Sequence, residues 1–233
     1  MVINSGLESV ILIGNSDNTP FPAGSLGDDI LVGTEGDDEI DGRDGNDIID
    51  GSGGNDTLFG GSGDDILTGG AGNDTLDGGE GNDLLTGLGG NNILSGGTGD
   101  DVLTGGGISY ITTDQNASPI ALVTDATGVN TLTGGDGADR FVLGGKSQSN
   151  PDSDPPVIHY DESGDSDYAL ITDFDASLDL IELGGEKANY RLGASPATLP
   201  NGTGLYVGDE LIAIIQGSSN LDLNADYFRA SGG

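Results

Sequence analysis

The sequence predicts an all-β chain, a solenoid of short parallel strands closed by a β-rich C-terminal cap. Three observations carry that prediction. Between Gly24 and Thr104 a nonapeptide period runs without a gap. One position of every period is Leu or Ile. After Thr104 the period breaks, and from residue 167 the chain changes to strand-like apolar runs of a different composition.

The nonapeptides begin at Gly24, Gly33, Gly42, Gly51, Gly60, Gly69, Gly78, Gly87 and Gly96, and position 4 is glycine in each. Position 8 holds Leu31, Ile40, Ile49, Leu58, Leu67, Leu76, Leu85, Leu94 and Leu103. Position 6 holds Asp29, Asp38, Asp47, Asp56, Asp65, Asp74, Asp83 and Asp101, with Asn92 as the one departure. Position 5 is always Asp or Asn, and includes Asn46, Asn55, Asp64, Asn73, Asn82, Asn91 and Asp100. Glycine and aspartate in bulk suggest a disordered tract. A disordered tract has no reason to hold an aliphatic side chain at a fixed phase of a strict period.

Each position has a physical task. Glycine admits backbone angles that a side chain forbids, which suits a tight turn. Positions 7 to 9 read as a short strand, with position 8 pointing inward and its neighbours outward. Position 7 favours β-branched residues such as Ile30, Ile48, Thr57, Ile66, Thr75, Ile93 and Val102, as strands do. Two nonapeptides make one coil. Stacked coils make two parallel sheets with turns along both edges.

Charge limits the partners. The 233 residues hold 40 acidic and 6 basic side chains, a net charge of -34. Nucleic acid is excluded as a partner, because phosphate binding needs Lys and Arg. No apolar run is long enough to predict a transmembrane segment. With no cysteine, there are no disulfides and no thiolate metal sites. Repulsion on this scale disfavours a compact state unless cations neutralise it. A core one aliphatic residue deep cannot alone offset the entropy of ordering so long a segment. Calcium meets both needs, since it takes six to eight oxygen ligands, carbonyls and carboxylates among them.

The stretches GGSGDDILT (60–68), GGAGNDTLD (69–77), GGEGNDLLT (78–86) and GGTGDDVLT (96–104) resemble the RTX, or haemolysin-type, calcium-binding nonapeptide repeat. That resemblance implies a parallel β-roll, a calcium-stapled β-solenoid, with each ion between turns one coil apart. On it, Asp29 pairs with Asn46, Asp38 with Asn55, Asp47 with Asp64, Asp56 with Asn73, Asp65 with Asn82, Asp74 with Asn91, and Asp83 with Asp100. Asp101 ends the set. The count is about seven inter-turn Ca2+ sites. The converse pairing, position 5 of the earlier turn with position 6 of the later, stays open. Asn92 has no carboxylate partner one coil on, so no further site is expected there.

The remaining segments are read around this array. Residues 1–23 hold an apolar run at Val10–Ile13, expected to be a strand capping the first coil, or one donated to a neighbouring molecule. Residues 24–104 are the regular β-roll. Residues 105–142 are a degenerate continuation, with Val123 at an inward phase and GGDGADRFV (134–142) restoring the register, expected to be ion-poor. Residues 143–233 are a linker and a β-rich cap. Strands are expected at Tyr168–Thr172, Leu178–Leu183, Leu205–Val207 and Leu211–Gln216, with a turn at Gly208–Glu210. The segment at Ile171–Phe174 and Asp179–Leu183 resembles the one that follows RTX repeats in many secreted bacterial proteins, and the whole tail, 167–233, is similar to those of cyanobacterial RTX-containing secreted proteins. The resemblance implies type I secretion by an uncleaved C-terminal signal, matching an N-terminus without a basic, apolar leader.

No catalytic constellation is legible, and the chain is expected not to be an enzyme. Its one histidine, His159, excludes the His-Glu-x-x-His zinc motif. There is no Gly-x-Ser-x-Gly elbow. Arg140 stands where a phosphate loop ending in Gly145-Lys146-Ser147 needs glycine, and Tyr227 where an EF-hand loop starting at Asp222 needs one. The expected function is calcium-dependent folding of a secreted, non-enzymatic structural or surface protein of bacteria: sheath, surface layer, adhesive or fibre. Self-association into filaments or layers is the expected partnership beyond calcium ions. The alternative is a secretion and folding module of a larger RTX toxin or hydrolase.

Overall fold

The computed structural model describes residues 11–13, 23–106, 129–145, 157–158 and 168–230. The architecture is a parallel β-roll with a β-rich cap. Its first sheet runs Ile11–Ile13, Ile30–Val32, Ile48–Asp50, Ile66–Ala71, Leu84–Gly89, Val102–Thr104, Arg140–Val142, Leu180–Leu183 and Phe228–Ala230. The second begins with Glu39–Asp44, Thr57–Ser62, Thr75–Glu80, Ile93–Thr98, Val129–Asp136 and Tyr168–Ile171. It continues through Glu210–Ile215, Thr203–Val207 and Tyr190–Ala194.

Through the roll, successive strands of each sheet are parallel and one coil apart, as in Ile30 beside Ile48 and Thr57 beside Thr75. Many strands run past the three residues expected. The ladder continues through positions 1 to 3 of the next nonapeptide, where Gly61 pairs with Gly79 and Ser62 with Glu80. Position 2 bends the chain without breaking that ladder, because Gly61, Gly79 and Gly97 take positive φ there.

The core is two stacked rows. Leu31, Ile49, Leu67, Leu85, Leu103, Phe141, Ile181 and Phe228 follow one another across the first sheet. Ile40, Leu58, Leu76, Leu94, Leu132 and Ile171 do so across the second. All are buried. Each row buries the face that a lone coil would leave wet, so the coils stabilise one another.

At the N-terminal end, Ile11–Ile13 pairs with Ile30–Val32, which places a strand within the expected apolar run. At the other end aromatic side chains replace the leucines. Phe174 meets Phe141 edge-on at 6.2 Å and Tyr227 at 5.8 Å, and Tyr227 lies 5.3 Å from Phe228. The expected strands at Tyr168, Leu180, Leu205 and Leu211 are present, and the last two form an antiparallel hairpin. Four further strands among the described residues are absent from the sequence expectation: Tyr190–Ala194, Phe228–Ala230 and the short antiparallel pair Gly144–Gly145 and Val157–Ile158. The outward Arg140 and Glu182 form an ion pair joining the last repeat to the cap. Val123 and His159 lie outside the described residues.

Candidate metal centre

The turns form two edges. One edge carries Asp29, Asp47, Asp65, Asp83, Asp101 and Asp139; the other carries Asp38, Asp56, Asp74, Asn92 and Asn130. Within each edge the position-6 side chain reaches back one coil. Oδ1 of Asp47 accepts the amide of Asp29 at 2.7 Å, and Oδ1 of Asp65 accepts that of Asp47 at 2.7 Å. The row goes on through Asp83 (2.8 Å), Asp101 (2.8 Å) and Asp139 (3.0 Å). On the other edge Asp38 donates to Asp56 at 2.8 Å, and Asp56 to Asp74 at 2.9 Å.

The second oxygen is the informative one. Oδ2 is buried and has no hydrogen-bond partner in Asp47, Asp56, Asp65, Asp74, Asp83, Asp101 and Asp139. A buried carboxylate oxygen without a donor is costly. Each such atom borders a cradle. A Cβ placed on Gly42 would meet both Asp47 Oδ2 and, at 2.6 Å, the carbonyl oxygen of Gly60 in the next coil. Gly51 stands likewise between Asp56 Oδ2 and the Gly69 carbonyl at 2.6 Å. Position 1 must therefore be glycine, and the space it leaves is lined by oxygen.

Burial raises the carboxyl pKa values. In the ion-free protein Asp56 and Asp65 are pushed up to about 7, and Asp47, Asp83, Asp101 and Asp139 to about 6. Asp74 is raised by the same burial. Backbone amides pull these values down, and neighbouring carboxylates push most of them further up. The site lacks a positive charge.

The donor set suits calcium. Orphaned carboxylate oxygens and glycine carbonyls are hard ligands, and no thiol is present. Among the described residues no three carboxylate or imidazole side chains gather to hold a metal. An ion here would depend on backbone carbonyls for much of its shell.

The position-5 residues behave differently. Their side chains are exposed, and each reaches forward. The amide of Asn46 donates to Asp28 Oδ1 at 2.9 Å, that of Asp64 to Asn46 Oδ1 at 3.0 Å, and that of Asn73 to Asn55 Oδ1 at 2.9 Å. The same bond joins Asn82 to Asp64, Asn91 to Asn73, and Asp100 to Asn82. These bonds link like positions: Asp29 bonds to Asp47, and Asn46 to Asp28 and Asp64. The sequence assigned each side chain to one gap. The buried aspartate instead straddles two, with Oδ1 on the earlier coil and Oδ2 beside a carbonyl of the later one.

The two ends of the array differ from its middle. Ser25 and Thr34 replace glycine at position 2, and their amides donate to Oδ2 of Asp29 at 2.5 Å and of Asp38 at 2.6 Å. The Thr34 hydroxyl adds a bond of 2.9 Å to Asp38. At the cap, Asp179 takes the amide of Asp139 on Oδ1 at 3.1 Å and that of Asp175 on Oδ2 at 2.8 Å. Asp173 accepts the amides of Gly134 (3.1 Å) and Gly135 (2.9 Å). Protein donors thus satisfy the carboxylates at both ends. Asp139 and Asp179 were not among the expected site residues. The motif phase of Asp139 was visible, whereas Asp179 sits in a turn with no glycine to mark it.

Residues 24–58, 50–85, 86–107 and 123–145 match the RTX calcium-binding nonapeptide repeat, in four copies. No curated protein matches the chain. Among solved structures, the extracellular lipase LipA from Serratia marcescens aligns at 19% identity with a TM-score of 0.21. The alignment covers 92% of this chain and 41% of the lipase, so the chain spans less than half of that protein's length.

Proposed function

Residues 24–107 and 123–145 carry RTX calcium-binding nonapeptide repeats, and from that premise we propose that calcium completes the fold of a secreted, non-enzymatic bacterial surface protein. One observation carries the reading: seven buried aspartate oxygens without donors, of which those of Asp47, Asp56, Asp65, Asp83 and Asp101 lie beside a glycine carbonyl of the next coil. Bound calcium supplies the positive charge those oxygens lack. The aspartates Asp47, Asp56, Asp65, Asp74, Asp83, Asp101 and Asp139 hold it, which favours a count of about seven sites. Asp29 and Asp38, whose oxygens take protein donors, hold ions less well. The position-5 residues Asn46, Asn55, Asp64, Asn73, Asn82, Asn91 and Asp100 serve as struts at the rim, fixing the spacing of the turns.

Calcium-rich surroundings outside the cell suit such a chain. There the coils order, while a calcium-poor interior leaves them repelled by their own charge. Self-association is supported by an aliphatic stripe on the outer face of the first sheet. Ile11, Ile30 and Ile48 lie in register along it and are 66%, 40% and 45% exposed. Circular dichroism with and without millimolar calcium tests the folding. Equal strand content in both would overturn it. Electron microscopy and ultracentrifugation in calcium test the role. Filaments or layers support a structural protein, and a strict monomer at high concentration favours a folding and secretion module of a larger toxin or hydrolase.

A further inference from the structure

The turn at residues 87–92 departs from its neighbours at position 6. Asn92 occupies the place of a buried aspartate and is itself buried. Its Oδ1 accepts the amide of Asp74 at 2.8 Å, as an aspartate Oδ1 does. Its Nδ2 donates to the carbonyl oxygens of Gly105 at 3.3 Å and Leu88 at 3.5 Å. The Gly105 carbonyl is the counterpart of the Gly60 carbonyl beside Asp47. A Cβ on Gly87 would meet Asn92 Nδ2 at 2.6 Å along with that carbonyl, where a Cβ on Gly42 meets an orphaned oxygen.

We propose that the Asn92 amide stands in for a calcium ion. Its two hydrogens supply the positive end that the carbonyls of Leu88 and Gly105 otherwise lack. This gap is held by hydrogen bonds of the protein itself and takes no metal. The amide has a further use at this place. Gly105 stands where the nonapeptide period of the sequence breaks. A bond that needs no metal keeps the two halves of the roll joined when calcium is scarce. The row of ions on this edge ends at the Asp74 turn, while the opposite edge runs on to Asp139.

The inference rests on the reading of the position-6 aspartates as calcium ligands, and a paired experiment separates the two. Bound calcium per chain is measured by equilibrium dialysis for the unaltered protein, for Asn92→Asp and for Asp74→Asn. The expected result is a further ion per chain in N92D and a lost ion in D74N. Loss in D74N with no gain in N92D overturns the stand-in role and leaves the calcium reading intact. No change in D74N removes the calcium reading, and the inference with it. Should N92D fail to fold, side-chain amide exchange in the calcium-loaded unaltered protein decides. An Asn92 amide that exchanges far more slowly than the exposed Asn91 amide supports the role, and equal rates overturn it.

Discussion

The amide of Asp101 donates to Oδ1 of Asp139 at 3.0 Å across 38 residues of chain, whereas Asp83 makes the same bond to Asp101 across 18. The intervening segment leaves the register of the row unchanged. The turn at 134–139 therefore keeps the hydrogen bonding of the row. Asp139→Ala removes both the acceptor for the Asp101 amide and a buried anionic oxygen. The expected outcome is the loss of a bound ion and about 1–3 kcal/mol of stability in calcium. Equilibrium dialysis and urea unfolding measure both. The exposed Asp77 serves as control, and its alanine variant should match the parent in both.

Acid and calcium should act in opposite senses on the folded chain. Burial raises Asp56 and Asp65 to about 7, and Asp47, Asp83, Asp101 and Asp139 to about 6, against 3.8 in the unfolded chain. Without metal the folded state binds protons that the unfolded state has released. That stabilisation is complete below pH 3.8 and is lost as pH rises through 6 to 7. Strand content of protein stripped on a chelating resin should rise as pH falls from about 8 to about 5. Calcium must displace the same protons, so the half-saturating calcium concentration should increase on acidification below about pH 6. Circular dichroism and calorimetry follow the two effects, and a pH-independent calcium affinity would contradict the second.

Three side chains at position 2 take the left-handed backbone that glycine takes in other turns. Arg43, Ser52 and Leu88 occupy position 2 with φ of 84°, 75° and 71°. A left-handed backbone costs a side-chain-bearing residue about 1–2 kcal/mol. Leu88→Gly should therefore stabilise the calcium-loaded protein by about 1 kcal/mol, less whatever the added freedom of the unfolded chain removes. The reverse exchange at Gly79, whose Cβ would strike the Gly61 carbonyl, should be strongly destabilising. Urea unfolding in saturating calcium reads both.

Phe174 joins the repeats to the cap by its edge contacts with Phe141 and Tyr227. It is almost fully buried, so Phe174→Ala should cost about 3–5 kcal/mol. The coils near residue 141 should lose amide-exchange protection before those near residue 58, because stacked coils support only their neighbours. Uniform loss along the roll would contradict that order.

The sequence made the roll legible because one aliphatic residue recurs at a fixed phase. Leu31 through Leu103 are buried where position 8 placed them, and the hairpin at Gly208 was visible as a turn between apolar runs. The direction of each carboxylate was not legible. Spacing alone cannot show that Asp47 divides its oxygens between two gaps, since that follows from a backbone bond to Asp29. Asp179 escaped notice because Asp175, Ala176 and Ser177 precede it instead of glycines. The strand at Phe228 was too short for its pattern to separate from the polar run before it.

The two edges of the roll carry unequal loads. Orphaned carboxylate oxygens occur at Asp47, Asp65, Asp83, Asp101 and Asp139 on one edge, but only at Asp56 and Asp74 among the described residues of the other. Calcium would therefore neutralise more buried charge on the first edge than on the second, so the first edge should need more of the ion to order.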